Sequence, residues 1–239
     1  DSERLFSRLE NLSYEYKLIE NETEAKELAG FLLTNEIFSL DTETTSIEAL
    51  DAKLVGLSFS TEDFRAWYVP VSRETEKAKK ILEIFRPVYE NPKILKVGQN
   101  LKYDLTVLAN YGIHLSGPLF DTMLAHYLIQ PELRHNMDYL AEIYLNYKTI
   151  HIEELIGPKG RGQKNMGDLE PKDIYKYACE DADVTLRLMK PLAEELRKNS
   201  LEEVFQNIEM PLMPVLARME RNGVVLDTET LKEVENDFT

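Results

Sequence analysis

Cysteine, histidine and long apolar runs are scarce in this chain of 239 residues. Its single cysteine, Cys179, excludes an internal disulfide framework and fits a reducing cytoplasm, where we expect the protein to reside. None of the four histidines has the spacing of metal ligands, so we interpret them as structural or surface residues. No apolar stretch approaches the ~20 residues of a membrane-spanning helix. No signal-peptide pattern is visible either, so we expect no membrane partner.

Positive charge is also in short supply. The chain has 28 Lys and Arg residues against 43 Asp and Glu residues, a formal net charge of −15. This balance argues against strong electrostatic capture of nucleic acid by the whole surface. It does not argue against nucleic acid as a substrate, because metal ions bound by carboxylates can supply positive charge locally. Solubility explains the acidity equally well.

One pair of acids follows a predicted strand. Residues 37–40 are apolar and β-forming, and Asp41 and Glu43 come directly after them. Two residues apart in an extended chain, both side chains face the same side. A lone Asp-x-Glu pair among 43 acids is most simply a solvated face. Its place at the carboxyl end of a strand, where α/β sheets bind ligands, favours a site.

Two further acids sit at helical spacing from a polar residue. Asp104 follows Asn100 by four residues, and Asp181 follows Tyr177 by four, so each pair shares a helical face. Four acids brought together repel one another unless cations neutralise them. Oxygen ligands without accompanying Cys or His favour Mg²⁺ or Mn²⁺ over zinc. Such an arrangement suits a two-metal phosphodiester hydrolase.

The remaining pattern predicts an α/β domain with a mixed sheet, because strands come first and then alternate with helices. We expect a mobile loop at residues 157–167, and a kink or an interruption at Pro191 in the long helix that starts at Pro171. The predicted strands are residues 37–40, 54–59, 66–70, 94–97 and 224–226. The predicted helices are residues 21–33, 75–89, 101–111, 122–129, 137–144 and 204–216, with others starting at Pro171 and Thr228.

Taken together, these segments resemble the 3′–5′ proofreading exonuclease domain of bacterial family A DNA polymerases, the DNA polymerase I type of DEDDy exonuclease. The resemblance continues between and beyond the acids, from about residue 18 to the C-terminus. The matching segments are Asp-Thr-Glu-Thr at 41–44, Gly-Gln-Asn-Leu-Lys-Tyr-Asp at 98–104, Phe-Asp-Thr-Met-Leu at 120–124, Tyr177-x-x-x-Asp181 and Asn-Ile-Glu-Met-Pro-Leu at 207–212.

The resemblance implies a ribonuclease-H-like mixed β-sheet flanked by helices, with a C-terminal helical extension. On this basis we expect a linker at residues 1–17, the exonuclease domain at 18–200 and a truncated start of the polymerase domain at 201–239. The chain begins with Asp1 rather than Met, so we expect a fragment or a processed product. It would be a monomer that lacks its covalently linked polymerase domain.

The resemblance also implies two divalent metal ions, Mg²⁺ or Mn²⁺, and a role for each of the four acids. Asp41 would bridge both ions, and Glu43 and Asp181 would complete the tighter site. Asp104 would serve the second ion, largely through water. Tyr177 would orient the attacking water with Glu43 as its partner, although packing in the core is the simpler interpretation of this tyrosine by itself.

The substrate contacts follow from the same resemblance. Gln99, Asn100 and Tyr103 occupy positions that touch the terminal nucleotides, and their chemistry suits a frayed single strand. Ile47 lies where the family has an apolar wedge near the terminal base. Ile152 takes a position where some relatives carry Phe, so a stacking contact would be missing there.

Other polar residues near the motifs have secondary roles. Arg161, between Lys159 and Lys164, would contact the DNA backbone from the basic loop, and a solvated loop is an equal alternative. Glu180 points away from its neighbour Asp181 on a helix and is not expected to be a ligand. Supporting or capping positions are expected for Asp121 and Asp183.

The expected function is a metal-dependent 3′–5′ exodeoxyribonuclease that acts on the single-stranded or frayed 3′ end of DNA. Two alternatives remain open. The first is a non-catalytic module of the polymerase, which the presence of all four acids and the tyrosine argues against. The second is an RNA-processing 3′–5′ exoribonuclease, which the polymerase-like segment near the C-terminus argues against.

Overall fold

A six-stranded mixed sheet is the centre of the structure, a computed structural model that describes residues 6–238. The strand order is β1-β4-β3-β2-β5-β6. Strands β2, β3 and β4 form an antiparallel meander. On one side β5 pairs in parallel with β2, and β6 pairs in parallel with β5. On the other side β1 pairs in parallel with β4. The strands are β1 Glu15–Leu18, β2 Ile37–Thr44, β3 Leu54–Glu62, β4 Arg65–Pro70, β5 Leu95–Gly98 and β6 Leu119–Asp121.

Helices cover both faces of this sheet. Helices α1, α2 and α3 build the main core on one face, where Phe59 of β3 stacks on Phe85 of α2 with ring centroids 5.1 Å apart. Helix α7 lies across the other face and packs on β2, β3 and β4. The helices are α1 Glu22–Leu32, α2 Thr75–Tyr89, α3 Leu101–Ala109, α4 Thr122–Ile129, α5 Met137–Leu140, α6 Ile152–Ile156, α7 Pro171–Lys198, α8 Glu202–Val204, α9 Met210–Asn222 and α10 Thr228–Asp237.

Helix α7 runs without a break through Pro191, so the predicted interruption is wrong. Proline removes one helical hydrogen bond and is costly in an isolated helix. Here Leu188 and Leu192, on either side of it, are fully buried. We infer that packing of α7 along the sheet outweighs the local cost.

The structure differs from the expected linker at residues 1–17. Glu15–Leu18 forms the edge strand β1, and Leu9 is buried in the second apolar cluster, while residues 1–5 lie outside the described part. The predicted strand at residues 224–226 is also wrong. Val224, Val225 and Leu226 are exposed and pair with no strand within residues 6–238, so their β-propensity has no sheet to join.

The C-terminal extension packs on the sheet domain through α9. Met213 belongs to the main core, and Arg221 donates to the Asn110 side chain at the end of α3 at 2.6 Å. Lys102 of α3 pairs with Glu220 at 2.5 Å. In the described part of the chain, none of the helices has both the length and the apolar character that crossing a bilayer requires.

Candidate active site

Strand β2 delivers two acids to one face of the sheet. Alternation along the strand points Ser39, Asp41 and Glu43 toward α7, and Ser39 Oγ donates to the Ala182 carbonyl of that helix at 2.6 Å. The acids lie within β2, which extends to Thr44, rather than after the strand as the sequence suggests. The register shifts between Glu43 and Thr44, and the strand ends there at the rim of the sheet.

Helix α7 supplies the third acid and its tyrosine. Asp181 and Tyr177 lie one turn apart, as their spacing predicts, and the charge of Asp181 acts on the Tyr177 hydroxyl. One oxygen each from Asp41, Glu43 and Asp181 lies within 4.8 Å of the others. The fold thus brings the acids of the strand and of the helix together.

Asp104 lies beside this group rather than in it. It sits on α3, across the sheet rim, and Thr42 Oγ1 donates to its Oδ1 at 2.6 Å. Thr42 points to the opposite face from Asp41 and Glu43, so it reaches α3 while its neighbours reach α7. The charge of Asp41 nevertheless acts on Asp104 and raises its pKa, after burial as the larger cause.

The four acids lie near one another with like charge; Glu43, Asp104 and Asp181 are buried, and Asp41 is half-buried. Burial raises the pKa of Asp41 to about 6. The pKa values of Glu43 and Asp181 are raised by burial and then by the charges of their acidic neighbours. None of the ion pairs found among residues 6–238 includes any of these acids. Protonation or a bound cation must therefore offset the repulsion.

The residues present fit a divalent cation. Glu43 Oε1 and Asp181 Oδ1 are buried acceptors that have no hydrogen-bond partner, and an unmet buried acceptor calls for a ligand. Carboxylate oxygens without sulfur or imidazole suit a hard cation such as Mg²⁺ or Mn²⁺. The structure thus provides a place for metal at Asp41, Glu43 and Asp181.

A groove opens from the acids. Its cavity of ≈ 580 Å³ is lined by Glu43, Ile47, Asn100, Tyr103 and Ile152, among others. A second cavity of ≈ 430 Å³ continues past the same Ile47, Asn100 and Tyr103. Ile47 is 89% exposed, which is unusual for an isoleucine and leaves its whole side chain available to a ligand.

Two of the residues expected to contact nucleotides are engaged with the protein itself. Gln99 Nε2 donates to the His135 carbonyl at 2.7 Å, and its Oε1 contacts the Thr122 hydroxyl. The Tyr103 hydroxyl donates to the Ser46 carbonyl at 2.5 Å, although its ring lines the groove. The Tyr103 contact joins two residues that line the groove, and the Gln99 contacts fix the turn before α3.

The basic loop contributes other residues than the one singled out from the sequence. Gln163, Lys164 and Asn165 line the groove, whereas Arg161 is exposed farther along the loop. Asn165 Nδ2 donates to the Thr45 carbonyl at 2.7 Å and holds the loop against the end of β2. Local sequence gives no signal for this contact, because it joins segments 120 residues apart.

The neighbouring acids of α7 support the fold rather than the site. Glu180 faces away from Asp181 as expected and accepts hydrogen bonds from the Tyr147 hydroxyl and the Ile150 amide. Asp183 accepts from the Phe64 amide at 2.6 Å and pairs with Arg187.

Sequence reasoning does not reveal Thr42 or Ser58 as site residues. Thr42 orients Asp104, as described above. Ser58 lies directly opposite Asp41 on β3, and its buried hydroxyl has no hydrogen-bond partner. The only local signal for Ser58 is its polarity within the apolar run of residues 54–59.

Comparison with known proteins agrees with this geometry. A family model described as 3′–5′ exonuclease, the domain found in family A DNA polymerases, matches residues 16–197. The chain belongs to this 3′–5′ exonuclease family. It is 44% identical to DNA polymerase I of Pseudomonas aeruginosa over 206 residues, which cover 82% of the chain and 22% of the relative. It is 36% identical to DNA polymerase I of Borreliella burgdorferi, over 91% of the chain and 24% of the relative. The chain thus spans about a quarter of these relatives or less.

Solved structures agree on the fold. The polymerase domain of Pol1 from M. smegmatis, in complex with DNA primer-template and dNTP, matches with a TM-score of 0.74 at 22% identity, over 93% of this chain and 35% of that one. Escherichia coli RNase D, an exoribonuclease involved in structured RNA processing, matches with a TM-score of 0.67 at 17% identity, over 93% of this chain and 54% of that one. The fold is the ribonuclease-H-like mixed sheet expected from the sequence, and the exonuclease family membership makes the chain a 3′–5′ exonuclease.

Proposed function

We propose that the chain removes nucleotides one at a time from a single-stranded or frayed 3′ end of DNA, as the proofreading unit of a DNA polymerase I. The observation that carries the proposal is the convergence of Asp41, Glu43 and Asp181 within 4.8 Å, with Tyr177 one helical turn from Asp181, in a chain of this exonuclease family. A mismatched end frays more readily and reaches a single-strand site more often. Selection would then depend on fraying rather than on base identity.

Two divalent ions, Mg²⁺ or Mn²⁺, would be held by the acids, with Asp41 serving both, Glu43 and Asp181 the tighter one, and Asp104 the other. When bound, they would lower the pKa of the attacking water and stabilise the charge on the leaving 3′ oxygen. The offset of Asp104 from the other three acids is compatible with the looser role.

The protein's own side chains would orient the water and the strand end. Burial and the charges of Asp181 and Glu43 raise the pKa of Tyr177, so its hydroxyl stays protonated and acts by hydrogen bonding. The water oxygen would bond to phosphorus as the bond to the 3′ oxygen breaks, and the 3′ oxygen would take up a proton. The products are a nucleoside 5′-monophosphate and a strand with a new 3′ hydroxyl.

The groove would receive the terminal nucleotides. Ile47 would wedge against the last base, with Asn100 and Tyr103 beside it, because all three line both cavities. Gln99 and Arg161 would act at longer range. Stacking and apolar contact of this kind tolerate any base, which suits an enzyme that removes any terminal nucleotide.

An RNA substrate is the second candidate, because the fold also matches an exoribonuclease. The sequence relatives favour DNA. A 5′-labelled single-stranded DNA and an RNA of the same sequence, incubated with Mg²⁺, Mn²⁺ or EDTA, separate the two proposals.

We expect a ladder that shortens from the 3′ end of the DNA, requires metal, and is absent in the Asp41→Ala variant. Faster cleavage of the RNA would reverse the substrate assignment. Equal activity of the variant would show that the site has been misassigned.

A further inference from the structure

Helix α3 begins without the cap that its own sequence offers. Asn100 occupies the N-cap position, and asparagine is one of the residues preferred there. Its side chain makes no capping hydrogen bond, and its backbone is left-handed, with φ 63° and ψ 48°, instead of extended. A left-handed backbone is uncommon for residues other than glycine. The Asn100 side chain lines the groove instead.

The missing cap comes from another strand. The parallel register of β5 and β6 sets Asp121 beside Gly98. The Asp121 carboxylate, 1% exposed, accepts the Leu101 amide at 2.7 Å and the Asn100 amide at 3.3 Å. It also accepts the Leu124 amide at 3.0 Å, at the start of α4. A single buried carboxylate therefore caps two helices.

Thr122 completes the same attachment. Its hydroxyl lies 3.1 Å from the Gly98 carbonyl and also contacts Gln99 Oε1. Asp121 and Thr122 together thus hold the turn of residues 98–101, which leads into the helix that carries Tyr103 and Asp104.

We propose that Asp121 is a positioning residue for substrate binding, which acts through Asn100. Because Asp121 caps α3, the Asn100 side chain does not have to. Its side-chain carboxamide stays turned toward the groove, where it meets the 3′-terminal nucleotide. Without the carboxylate, Asn100 relaxes to an extended backbone, caps α3 itself and withdraws its amide. The inference rests on the proposed function, since it requires a nucleotide in the groove.

A double-mutant cycle tests whether Asp121 acts through Asn100. Asp121→Ala, Asn100→Ala and the double variant are compared in steady-state cleavage of a short 5′-labelled oligothymidylate with Mg²⁺. Asp121→Ala raises KM about tenfold, equivalent to about 1.4 kcal/mol, with a smaller change in kcat. In the Asn100→Ala background the same substitution has little further effect on KM. Additive effects on KM would overturn the proposal, because a general loss of stability does not depend on Asn100.

Hydrogen exchange in EDTA, without DNA, tests the cap independently of catalysis. In Asp121→Ala the Asn100 and Leu101 amides exchange faster than in the unsubstituted chain. Unchanged exchange would overturn the role of Asp121 in the turn. If the unsubstituted chain cleaved no oligothymidylate, the proposed function and the substrate half of this inference would both fall, while the exchange data would still decide the cap.

Two further variants make these results specific. Asp121→Asn keeps one acceptor oxygen and fills the same space, so we expect it to raise KM less than Asp121→Ala does. It replaces Asp121→Ala in the test if that variant does not fold. Asp227→Ala is the matched control, because Asp227 caps α10 by accepting the Glu229 and Thr230 amides at 3.1 Å, away from the groove. It leaves KM unchanged, and a rise equal to that of Asp121→Ala would overturn the proposal.

Discussion

Among single residues, Tyr177 links the acid cluster to the chemistry most directly. Its hydroxyl lies within the field of Asp181, Glu43 and Asp41, whose charges raise its pKa after burial as the larger cause. Replacing Tyr177 with Phe leaves the ring and removes only the hydroxyl. We expect cleavage to fall by about a hundredfold, the usual range for a group that orients a proton transfer, with little change in the free energy of unfolding.

Tyr175 provides the control for that substitution. It lies half-buried on the same helix and, like Tyr177, packs against the apolar cluster that contains Val55 and Tyr68. Tyr175→Phe should leave the rate of cleavage unchanged when both variants are assayed on one labelled oligonucleotide. Equal losses of cleavage rate in the two variants would mean that removing any tyrosine hydroxyl from this part of α7 impairs the enzyme. The role of Tyr177 in orienting the water would then be contradicted.

The four acids make stability depend on pH when metal is removed. Burial raises the pKa of Asp41 from 3.8 to about 6, and the pKa values of Glu43, Asp104 and Asp181 are also raised. Between the unfolded and folded pKa values the folded protein binds more protons than the unfolded chain, so stability falls as the pH rises. We expect the free energy of unfolding by urea in EDTA to decrease as the pH rises from about 4.5 through 6 and beyond.

Exposed acids whose pKa is lowered have the opposite effect on the free energy of unfolding, but only at lower pH. Glu83, whose pKa is lowered by Arg86, loses its contribution as the pH falls below its usual value of 4.5. Above that pH the buried acids dominate, and they include Glu180, whose pKa is raised to about 7 mainly by burial. Asp41→Asn should flatten the dependence, and added Mg²⁺ should do the same. A stability that rose with pH in EDTA would contradict a metal-free cluster of buried acids.

At the level of secondary structure, β3 contains a glycine that the packing requires. An ideal Cβ on Gly56 would lie 2.1 Å from the ring of Tyr68, which is fully buried and packs across the strand. Gly56 is paired with Glu43 on β2. We expect Gly56→Ala to destabilise the protein by about 1 to 3 kcal/mol, the usual range for overpacking, and to lower cleavage by displacing Tyr68 against Glu43.

Gly30 in helix α1 is the matched control. A Cβ there meets nothing within 4 Å, and alanine is the better helix former. Gly30→Ala should raise the free energy of unfolding by about 0.5 to 1 kcal/mol, measured in the same urea titration. If the two substitutions changed stability in the same direction, the contact between Gly56 and Tyr68 would not be the determining feature.

How much of this structure follows from the sequence depends on the range of the interactions. Strands β2 to β5 and helices α1 to α4 are confirmed, because their apolar periodicity is local. The edge strands β1 and β6 have only four and three residues and gain stability from their neighbours, so their own sequence carries little signal. The continuity of α7 through Pro191 is likewise a result of packing.

The site divides in the same way. Strand alternation places Asp41 and Glu43 on one side of β2, and helical spacing places Tyr177 and Asp181 on one face of α7, because each spacing acts within one element. The separate place of Asp104 depends on Thr42, which lies 62 residues away in the chain. The capping of α3 by Asp121 joins two strands in parallel register. The expected capping role of Asp121 is confirmed at α4, which follows it directly in the chain. Its contact with α3, and that of Thr42 with Asp104, have no local pattern from which they could be predicted.

For the whole molecule, the remaining question is how far the sheet domain extends along the chain. Phe205, Met210 and Met213 are buried against it, and Arg221 and Glu220 bind α3. Beyond Gly223 the side chains of the described residues are exposed, including those of α10. We therefore propose a boundary near residue 223, whereas the sequence predicts one at residue 200.

Two truncated chains test this boundary. A chain that ends at residue 223 keeps every buried side chain of the extension and should unfold at the same urea concentration as the full chain. A chain that ends at residue 204 loses three large buried apolar side chains, each worth about 1.5 to 3 kcal/mol, together with the smaller Ala217 and the partners of Lys102 and Asn110 on α3. Its unfolding midpoint should fall sharply, and cleavage should weaken with it, because α3 carries Asp104. Equal midpoints for the two truncated chains would instead place the boundary before Phe205 and show that α9 does not stabilise the sheet domain.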